Sequence, residues 1–303
     1  MAPMCKIAGA SYYVPESRRD LGKVASVHGI SPSILQRSWG IESVPLAGCF
    51  ENECRMAIRA VRKLELTSVK GLDAVIFCSN SARRGPFAAR IAAAIGSRSV
   101  RYTKDIVSGC GGFIEGLNLA NHIVKQDQSV ESAIVCCGEV NRMKYKDCQA
   151  LRFLHLGDGG GAVLLTRSTG GEDILSEGPE FQIQKQPTRQ SAAAMLSAQS
   201  NHYLPLMEQL LHQHNLTKAD LKCFLLTQSP AASFNNLVTS VLSVPPETVP
   251  FVFTQYGHLG TVDHPLMISQ LQTRPTPRGW IALMALGEAA REYRFSSCLW
   301  HRC

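Results

Sequence analysis

Long hydrophobic runs are missing from this sequence of 303 residues. Its apolar stretches all fall short of the roughly 18 uninterrupted residues needed for a membrane-spanning helix, so no membrane partner is expected. The first residues lack the charged segment and the apolar stretch that make up a secretory signal. The sequence therefore predicts a cytoplasmic protein.

Disulfide and metal-binding patterns are absent as well. The 11 cysteines are odd in number and scattered without Cys-x-x-Cys spacing, and two of them, Cys136 and Cys137, are adjacent in an apolar run. The histidines do not show the His-Glu-x-x-His spacing of a zinc site. These patterns predict reduced thiols, no disulfide framework and no bound metal.

Aromatic residues make up only 7% of the chain, although its formal net charge is +7. Basic residues concentrate between Arg83 and Arg101, but few aromatic residues accompany them and no nucleic-acid-binding motif is present. Nucleic acid is therefore not expected as a partner. The basic segment, with Arg83 and Arg84 at its start, is instead predicted to dock an anionic coenzyme A or an acidic carrier protein.

Strand-like and helix-like segments alternate through the first half of the chain. Apolar runs of strand length, such as Asp73–Cys78 and Ala133–Cys137, are separated by helical patterns. This alternation predicts an α/β fold with a mostly parallel sheet covered on both faces. The polar stretch Ser168–Ser200 is the expected linker, which divides the chain into halves of residues 1–170 and 171–303.

The strongest chemical signal is the segment DIVSGCGGFIEGL, with Cys110 at its centre. An apolar run leads into a turn at Gly109, and a helical pattern follows from Gly111. A helix N-terminus directs unpaired N–H groups and a positive dipole end at the sulfur, and both favour a thiolate. Cys110 is therefore a candidate nucleophile, with a buried structural cysteine as the alternative.

A second elbow is predicted in the other half of the chain. The segments LDAVIFCSNS and LKCFLLTQSP can be laid over each other; Cys110 lies 38 residues after Leu72, and His258 lies 37 residues after Leu221. Such a repeat would place the two elbows face to face across a pseudo-twofold axis. Asp263 follows across a turn, so its carboxylate is expected to hold Nδ1 of His258 and leave Nε2 as general base. The alternative is a polar loop histidine followed by a helix-capping Asp263.

The glycine-rich segment GDGGGAVLLTR, residues 157–167, precedes a strand. A phosphate-binding loop requires the opposite order, with glycines after a strand and before a helix, so nucleotide binding is not expected there. His155, just before this segment, is a candidate residue of the substrate pocket.

Four segments resemble one enzyme family. DIVSGCGGFIEGLNLA, LGDGGGAVLL, CGEVNRM and QRSWGIESV are similar to segments of the β-ketoacyl-acyl-carrier-protein synthase III enzymes. The resemblance implies the thiolase fold, an αβαβα five-layered sandwich of two similar five-stranded halves, and a homodimer. It also implies acyl transfer through a cysteine thioester, with acyl-CoA or a phosphopantetheinyl carrier protein as substrate and no permanently bound cofactor. Phe87 lies near the position from which family members reach the partner's acyl pocket.

The departures from this family point to a particular chemistry. Decarboxylating members use Cys, His and Asn, whereas this chain has Thr227 at the His position and His258 at the Asn position. A Cys110, His258 and Asp263 set resembles the branch with a Cys-His-Asp triad, which transfers acyl groups in secondary metabolism. Of the family's glycine-rich C-terminal turn only Gly287 remains, so the backbone amides of Cys110 and Gly287 are the expected oxyanion donors.

Three functional hypotheses follow. The favoured one is an acyltransferase that loads an acyl group onto Cys110 and passes it, without decarboxylation, to a hydroxyl, amine or thiol of a small-molecule acceptor in a polyketide- or fatty-acid-like pathway. A general base activates such acceptors, whereas carbon–carbon bond formation needs a stabilised carbanion. The alternatives are a decarboxylating condensing enzyme and a non-catalytic partner subunit of an active paralogue. Phe87, Thr227 and His155 are the residues expected in the substrate pocket.

Overall fold

The fold is given by a computed structural model that describes residues 4–27, 29–66, 71–80, 85–97, 99–141, 156–168, 173–184, 192–274, 278–289 and 292–303. The strands are β1 (Met4–Tyr13), β2 (Arg18–Asp20), β3 (Ser43–Pro45), β4 (Ala74–Cys78), β5 (Tyr102–Ile106), β6 (Ser132–Glu139), β7 (Gly159–Ser168), β8 (Ile174–Gln184), β9 (Leu221–Leu226), β10 (Gly279–Ala289) and β11 (Glu292–Arg302). The helices are α1 (Leu21–Val27), α2 (Pro32–Ile34), α3 (Glu53–Val61), α4 (Phe87–Ala94), α5 (Gly112–Gln126), α6 (Ala192–Gln213), α7 (Ala231–Asn236), α8 (Phe253–Tyr256) and α9 (Asp263–Gln272).

Nine strands form one sheet in the order β5-β4-β6-β7-β1-β8-β11-β10-β9. We call β1 and β4 to β7 the first half of the sheet, and β8 to β11 the second half. The halves meet where β1 pairs antiparallel with β8. In each half a parallel pair, β4–β6 or β9–β10, is followed by an antiparallel neighbour, β7 or β11. The strand order therefore repeats outward from the β1–β8 pair.

Side chains of alternate strand residues define the layers, because neighbours along a strand point to opposite faces. In β4, Val75 and Phe77 pack with α3 and α4 on the outer face, whereas Ile76 packs with α5 on the inner face. In β9, Phe224 packs with α6 outside and Leu225 packs in the inner cluster that contains α9. Helices α5 and α9 thus form a central layer, which completes the αβαβα arrangement predicted from the sequence.

The second half has four strands in the described part of the chain, where the family resemblance implied five. Residues 250–252, which correspond in chain order to β5, do not form a strand. Pro250 has no N–H group to donate to a ladder. The Gln228 side chain holds this segment instead: it donates to the Pro250 carbonyl at 3.2 Å and accepts from the Val252 N–H at 2.9 Å.

The prediction that Ser168–Ser200 is a linker is wrong for much of this segment. Residues Ile174–Gln184 form β8, and α6 begins at Ala192. The segment reads as polar because most of β8 is only partly covered, although it pairs along its length with β11. The predicted division between residues 170 and 171 lies outside the described residues and stays a prediction.

The glycine-rich segment before β7 serves close packing. A Cβ added at Gly160 would lie 2.4 Å from the backbone of Met56 in α3, and one added at Gly161 would lie 2.3 Å from Pro265 in α9. Beside them, buried Asp158 accepts hydrogen bonds from two backbone N–H groups of neighbouring loops. The glycines therefore allow both helical layers to approach the sheet.

Candidate active site

The Cys110 elbow, residues 106–112, connects β5 to α5. Gly109 has a φ of +70°, in the left-handed region that glycine adopts without strain, and it turns the chain between strand and helix. Helix α5 begins at Gly112, so Cys110 stands just before its first turn. The Cys110 residue is 9% exposed. The sulfur is thus fixed at the end of a strand and the start of a helix.

The His258 elbow, residues 256–263, has the same backbone device. Gly257 has a φ of +69° and directly precedes the functional side chain, as Gly109 does in the other half. A 3-10 turn over Gly260–Val262 then leads to α9, which begins at Asp263. His258 is 1% exposed and Asp263 is fully buried.

The two elbows bring three predicted residues into one hydrogen-bonded row. The Sγ atom of Cys110 lies 3.1 Å from Nε2 of His258, and Nδ1 of His258 lies 2.7 Å from Oδ2 of Asp263. Cys110 comes from the first half of the chain, and the other two come from the second. This is the relative order of a nucleophile, a base and an orienting carboxylate.

The Asp263 carboxylate is held by three donors. Oδ2 accepts from Nδ1 of His258 and from the Gln228 N–H at 3.0 Å, and Oδ1 accepts from the Leu259 N–H at 2.9 Å. All three donors lie outside α9, although Asp263 is its first residue. The carboxylate therefore serves the elbow, and these contacts do not fit the helix-capping alternative.

Charge coupling sets the protonation of the imidazole. Burial lowers the pKa of His258, but the neighbouring Cys110 and Asp263 more than offset it and raise the pKa well above the ordinary 6.5. Asp263 fixes a proton on Nδ1, so Nε2 faces the sulfur. The imidazole is thus poised to receive a proton from Sγ and to return it.

Two residues of the site were not singled out from the sequence. Asn80, after β4, places Nδ2 3.7 Å from Sγ of Cys110. Buried Glu139, at the end of β6, accepts from the Asn80 N–H at 2.7 Å and from the Thr261 hydroxyl at 2.7 Å. It therefore links the loop after β4 to the His258 elbow. Both follow apolar strand runs, and polar residues at the carboxyl ends of parallel strands are the signal that could have found them.

Thr227, which the family resemblance aligns with a histidine, follows β9. It is buried, and its hydroxyl accepts from the Leu286 N–H at 3.3 Å. Tyr203 of α6 stands next to it; burial raises the pKa of the Tyr203 hydroxyl, and the Thr227 hydroxyl partly offsets this rise. Neutral hydroxyl groups therefore occupy this side of the site.

Gly287 of β10 lies against the Cys110 elbow. A Cβ at this position would lie 2.7 Å from the Ser108 carbonyl oxygen and 3.3 Å from the Cys110 backbone nitrogen. Since real Cβ atoms do not approach backbone so closely, glycine is required for β10 to pass here. The backbone amides predicted as oxyanion donors thus lie on adjacent segments.

The remaining predicted residue in the described part of the chain lies away from the hydrogen-bonded row. Phe87 is the first residue of α4. Its ring packs against Phe77 in β4 of the same chain, with ring centroids 5.1 Å apart. This is the outer face of the sheet, opposite α5. His155, Arg83 and Arg84 fall outside the described residues, and their roles stay predictions.

The described parts of the chain contain neither a metal-binding cluster nor a membrane-spanning helix. There, no group of three or more His, Cys, Asp or Glu side chains is arranged to hold a metal ion. Over the same residues, every helix is too short or too polar to cross a membrane.

Comparison with known proteins resolves the family. The model described as 3-Oxoacyl-[acyl-carrier-protein (ACP)] synthase III matches residues 104–178, and its C-terminal counterpart matches residues 211–288, together about half of the chain. The chain belongs to the 3-oxoacyl-[acyl-carrier-protein] synthase III-like family. The first match contains Cys110, and the second contains His258 and Asp263, so both parts of the hydrogen-bonded row lie in regions that define this ketoacyl synthase III-like family.

Individual relatives cover most of the chain. It is 22% identical to the Beta-ketoacyl-[acyl-carrier-protein] synthase III of Rickettsia bellii over 289 residues, 88% of this chain and 90% of that protein. The crystal structure of 3-oxoacyl-[acyl-carrier-protein] synthase III from Aquifex aeolicus has a TM-score of 0.83 at 20% identity, covering 98% of this chain and 99% of the other. A variant of Xanthomonas campestris OleA bound with cerulenin has a TM-score of 0.81 at 19% identity, covering 98% of this chain and 97% of the other. The ketoacyl synthase III-like chain therefore has the thiolase fold, in an enzyme family of acyl transfer and condensation.

Proposed function

We propose that this protein is an acyltransferase that moves an acyl group from a thioester donor to a nucleophilic acceptor without decarboxylation. The observation that carries the proposal is the row formed by Cys110, His258 and Asp263, with contacts of 3.1 and 2.7 Å. Thr227 stands where decarboxylating relatives have a further imidazole. Within the row, His258 is the base, and it lies directly beside the nucleophile.

In the first half-reaction the Cys110 sulfur attacks the carbonyl carbon of the donor thioester. The proton of Sγ passes to Nε2 of His258, a new C–S bond forms, and the carbonyl oxygen becomes an oxyanion beside the backbone amides of Cys110 and Gly287. Collapse of this intermediate breaks the donor's C–S bond. The departing thiolate takes the proton from Nε2, which leaves an acyl-enzyme and a neutral imidazole.

In the second half-reaction the neutral His258 acts as general base. Nε2 takes the proton of an acceptor hydroxyl, amine or thiol as that group attacks the thioester carbon. The tetrahedral intermediate then expels Sγ of Cys110, which recovers its proton from the imidazolium. Asp263 stabilises the imidazolium in both half-reactions and keeps Nε2 directed at the sulfur.

Decarboxylative condensation requires hydrogen-bond donors that stabilise an enolate. Loss of CO2 from a malonyl unit leaves an enolate, which must be stabilised by donors until it attacks the acyl-enzyme. At this position Thr227 offers only a neutral hydroxyl, whose hydrogen bond to an enolate is weaker than that of a charged donor. The names of the sequence relatives favour the condensing reaction as the second candidate. The intact row argues against a non-catalytic partner subunit.

The proposal includes the partners. The donor is acyl-CoA or an acyl carrier protein, the acceptor is a small molecule, and the pathway is one of secondary, polyketide-like metabolism in the cytoplasm. The protein acts as a homodimer. In support, β5 is an edge strand of the sheet; Tyr102 at its start and Val107 directly after it are exposed, as expected of a surface that is covered in an assembly.

Intact-protein mass spectrometry tests the proposal. The parent, Cys110→Ala and His258→Ala are incubated with a panel of acyl-CoA and acyl-carrier donors. A donor-specific mass gain in the parent that is absent from Cys110→Ala, and that is discharged by an added alcohol, amine or thiol, is expected.

Two results would contradict it. Release of CO2 from a malonyl donor, coupled to product formation, would establish the condensing enzyme instead. Failure of every donor to label the parent would favour the non-catalytic partner subunit.

A further inference from the structure

The side chain of Asn80 contacts the nucleophile but has no part in the row described above. Its Nδ2 atom lies 3.7 Å from Sγ of Cys110, on the side of the first half of the sheet. A sulfur anion only accepts hydrogen bonds, and of the two ends of a carboxamide only the NH2 end donates them. The amide is therefore oriented to favour negative charge on the sulfur.

Two hydrogen bonds between described residues anchor the loop that carries Asn80. The Asn80 backbone N–H donates to Oε1 of buried Glu139 at 2.7 Å, and the hydroxyl of Ser79 donates to the Gly138 carbonyl at 2.7 Å. Both bonds tie the loop to the end of β6. These bonds hold the Asn80 backbone in place, and the side-chain NH2 group is directed at Sγ.

We propose that Asn80 is a further catalytic residue, whose amide N–H stabilises the thiolate of Cys110. This inference rests on the proposed function, because it requires Cys110 to act as the nucleophile. When Sγ attacks, its proton goes to His258 and its electron pair forms the bond to carbon. When the acceptor adduct collapses, that bond breaks and the pair returns to sulfur. In both events His258 and Asn80 donate to the charged sulfur from opposite halves of the chain.

The size of the effect follows from the contact. Hydrogen bonds to charged groups are stronger than those between neutral groups, but a contact of 3.7 Å is long. Loss of the Asn80 amide is therefore expected to slow reactions of the sulfur by about three- to tenfold. An aspartate in its place would be worse than alanine, since its carboxylate repels the thiolate.

Alkylation of Cys110 by iodoacetamide, followed by peptide mass spectrometry between pH 5 and about 9, measures this effect directly. The variants are Asn80→Ala and the isosteric Asn80→Asp. Ser79→Ala is the matched control, because it removes an anchor of the same loop and leaves the amide at Sγ. The exposed Cys49 is an internal reference for the reagent in every sample.

The expected result is a profile displaced to higher pH in Asn80→Ala, further displaced in Asn80→Asp and unchanged in Ser79→Ala. In acyl transfer, kcat falls in the Asn80 variants while KM for the donor changes little. The inference is overturned if both Asn80 variants keep the parent's profile, or if Ser79→Ala shifts it as much as Asn80→Ala does. Failure of the proposed function looks different: the parent's own Cys110 then takes no acyl group from any donor.

Discussion

The two elbows of the molecule use one backbone device for different chemistry. Each has a left-handed glycine, Gly109 or Gly257, directly before its functional side chain. After Cys110 the helix begins two residues later, so the sulfur stands at a helix N-terminus. After His258 the helix begins only at Asp263, which leaves room for a turn that folds the carboxylate back onto Nδ1. Because α9 begins five residues after His258, its first residue, Asp263, can reach Nδ1 of the imidazole.

The elbows also differ in what holds them. The Cys110 elbow continues from β5, which is paired along its length with β4. The corresponding segment before His258 has no strand, and Gln228 replaces the ladder: its side chain bonds Pro250 and Val252, and its backbone N–H bonds Asp263. The first elbow is thus supported by backbone pairing, whereas the second depends on individual side chains and is expected to tolerate fewer substitutions.

The largest effect is expected from removing the imidazole of the second elbow. His258→Ala leaves the nucleophile and its helix in place but takes away the base, so acyl transfer should slow by about 10²- to 10⁴-fold. Single-turnover transfer from a pre-formed acyl-enzyme measures the step. His212→Ala, in the last turn of α6, is the matched control and should match the parent. A His258→Ala enzyme that transfers at the parent's rate would contradict the assignment of the base.

A smaller effect is expected when the carboxylate loses its charge. Asp263→Asn removes a cause of the raised pKa of His258, so the imidazole should titrate at lower pH than in the parent. Transfer should slow by about 10- to 100-fold, since a hydrogen bond to a charged group contributes about 1.5–3 kcal/mol. NMR of labelled histidine measures the titration, and an unchanged His258 signal would contradict the coupling.

The same shift predicts how stability depends on pH. Because the pKa of His258 is raised above 6.5 in the folded protein, the protonated imidazole stabilises the fold. That contribution is complete below pH 6.5, the ordinary value, and is lost as the pH rises through the raised value. The difference in unfolding free energy between the parent and Asp263→Asn should therefore narrow at alkaline pH, and urea titrations across pH measure it.

The contact between β10 and the Cys110 elbow is tested by Gly287→Ala. The added methyl group would lie 2.7 Å from the Ser108 carbonyl oxygen, so the strand or the elbow must move, at a cost of about 1–3 kcal/mol in unfolding free energy. Cys110 acylation should slow as well. Gly9→Ala is the control, because its nearest neighbour would be a Leu64 methyl group at 3.7 Å. Equal melting temperatures for the two variants would contradict the close approach.

The smallest effects are expected from the elbow glycines. Alanine at Gly109 or Gly257 must adopt the left-handed region, which costs about 1–2 kcal/mol. Gly96→Ala is the control, since Gly96 has a φ of +71° and lies outside both elbows, with no atom within 4 Å of an added Cβ. All three variants should lose similar stability, but only the elbow variants should lose acylation or transfer. Normal acyl transfer by Gly257→Ala would contradict the prediction that the two elbow glycines have equivalent roles.

Local sequence patterns were sufficient to predict many features of this protein. The strands β4 and β6, the helix after Cys110 and the turn between His258 and Asp263 are local features, which depend on hydrophobic period and on glycine positions. The sequence also indicated the family and the three residues that form the hydrogen-bonded row. The linker prediction was wrong because a strand that is only partly covered, such as β8, has the composition of a loop, and the fifth strand of the second half was lost at Pro250.

Tertiary structure decided the rest. Cys110 and His258 are 148 residues apart, and only the packing of α5 and α9 in one central layer brings their side chains together. Asn80 and Glu139 gain their roles from the meeting of strand ends, and Gln228 gains its role from a missing strand. Such contacts depend on which segments pack against each other, and a pattern of residue types within one segment does not specify its neighbours.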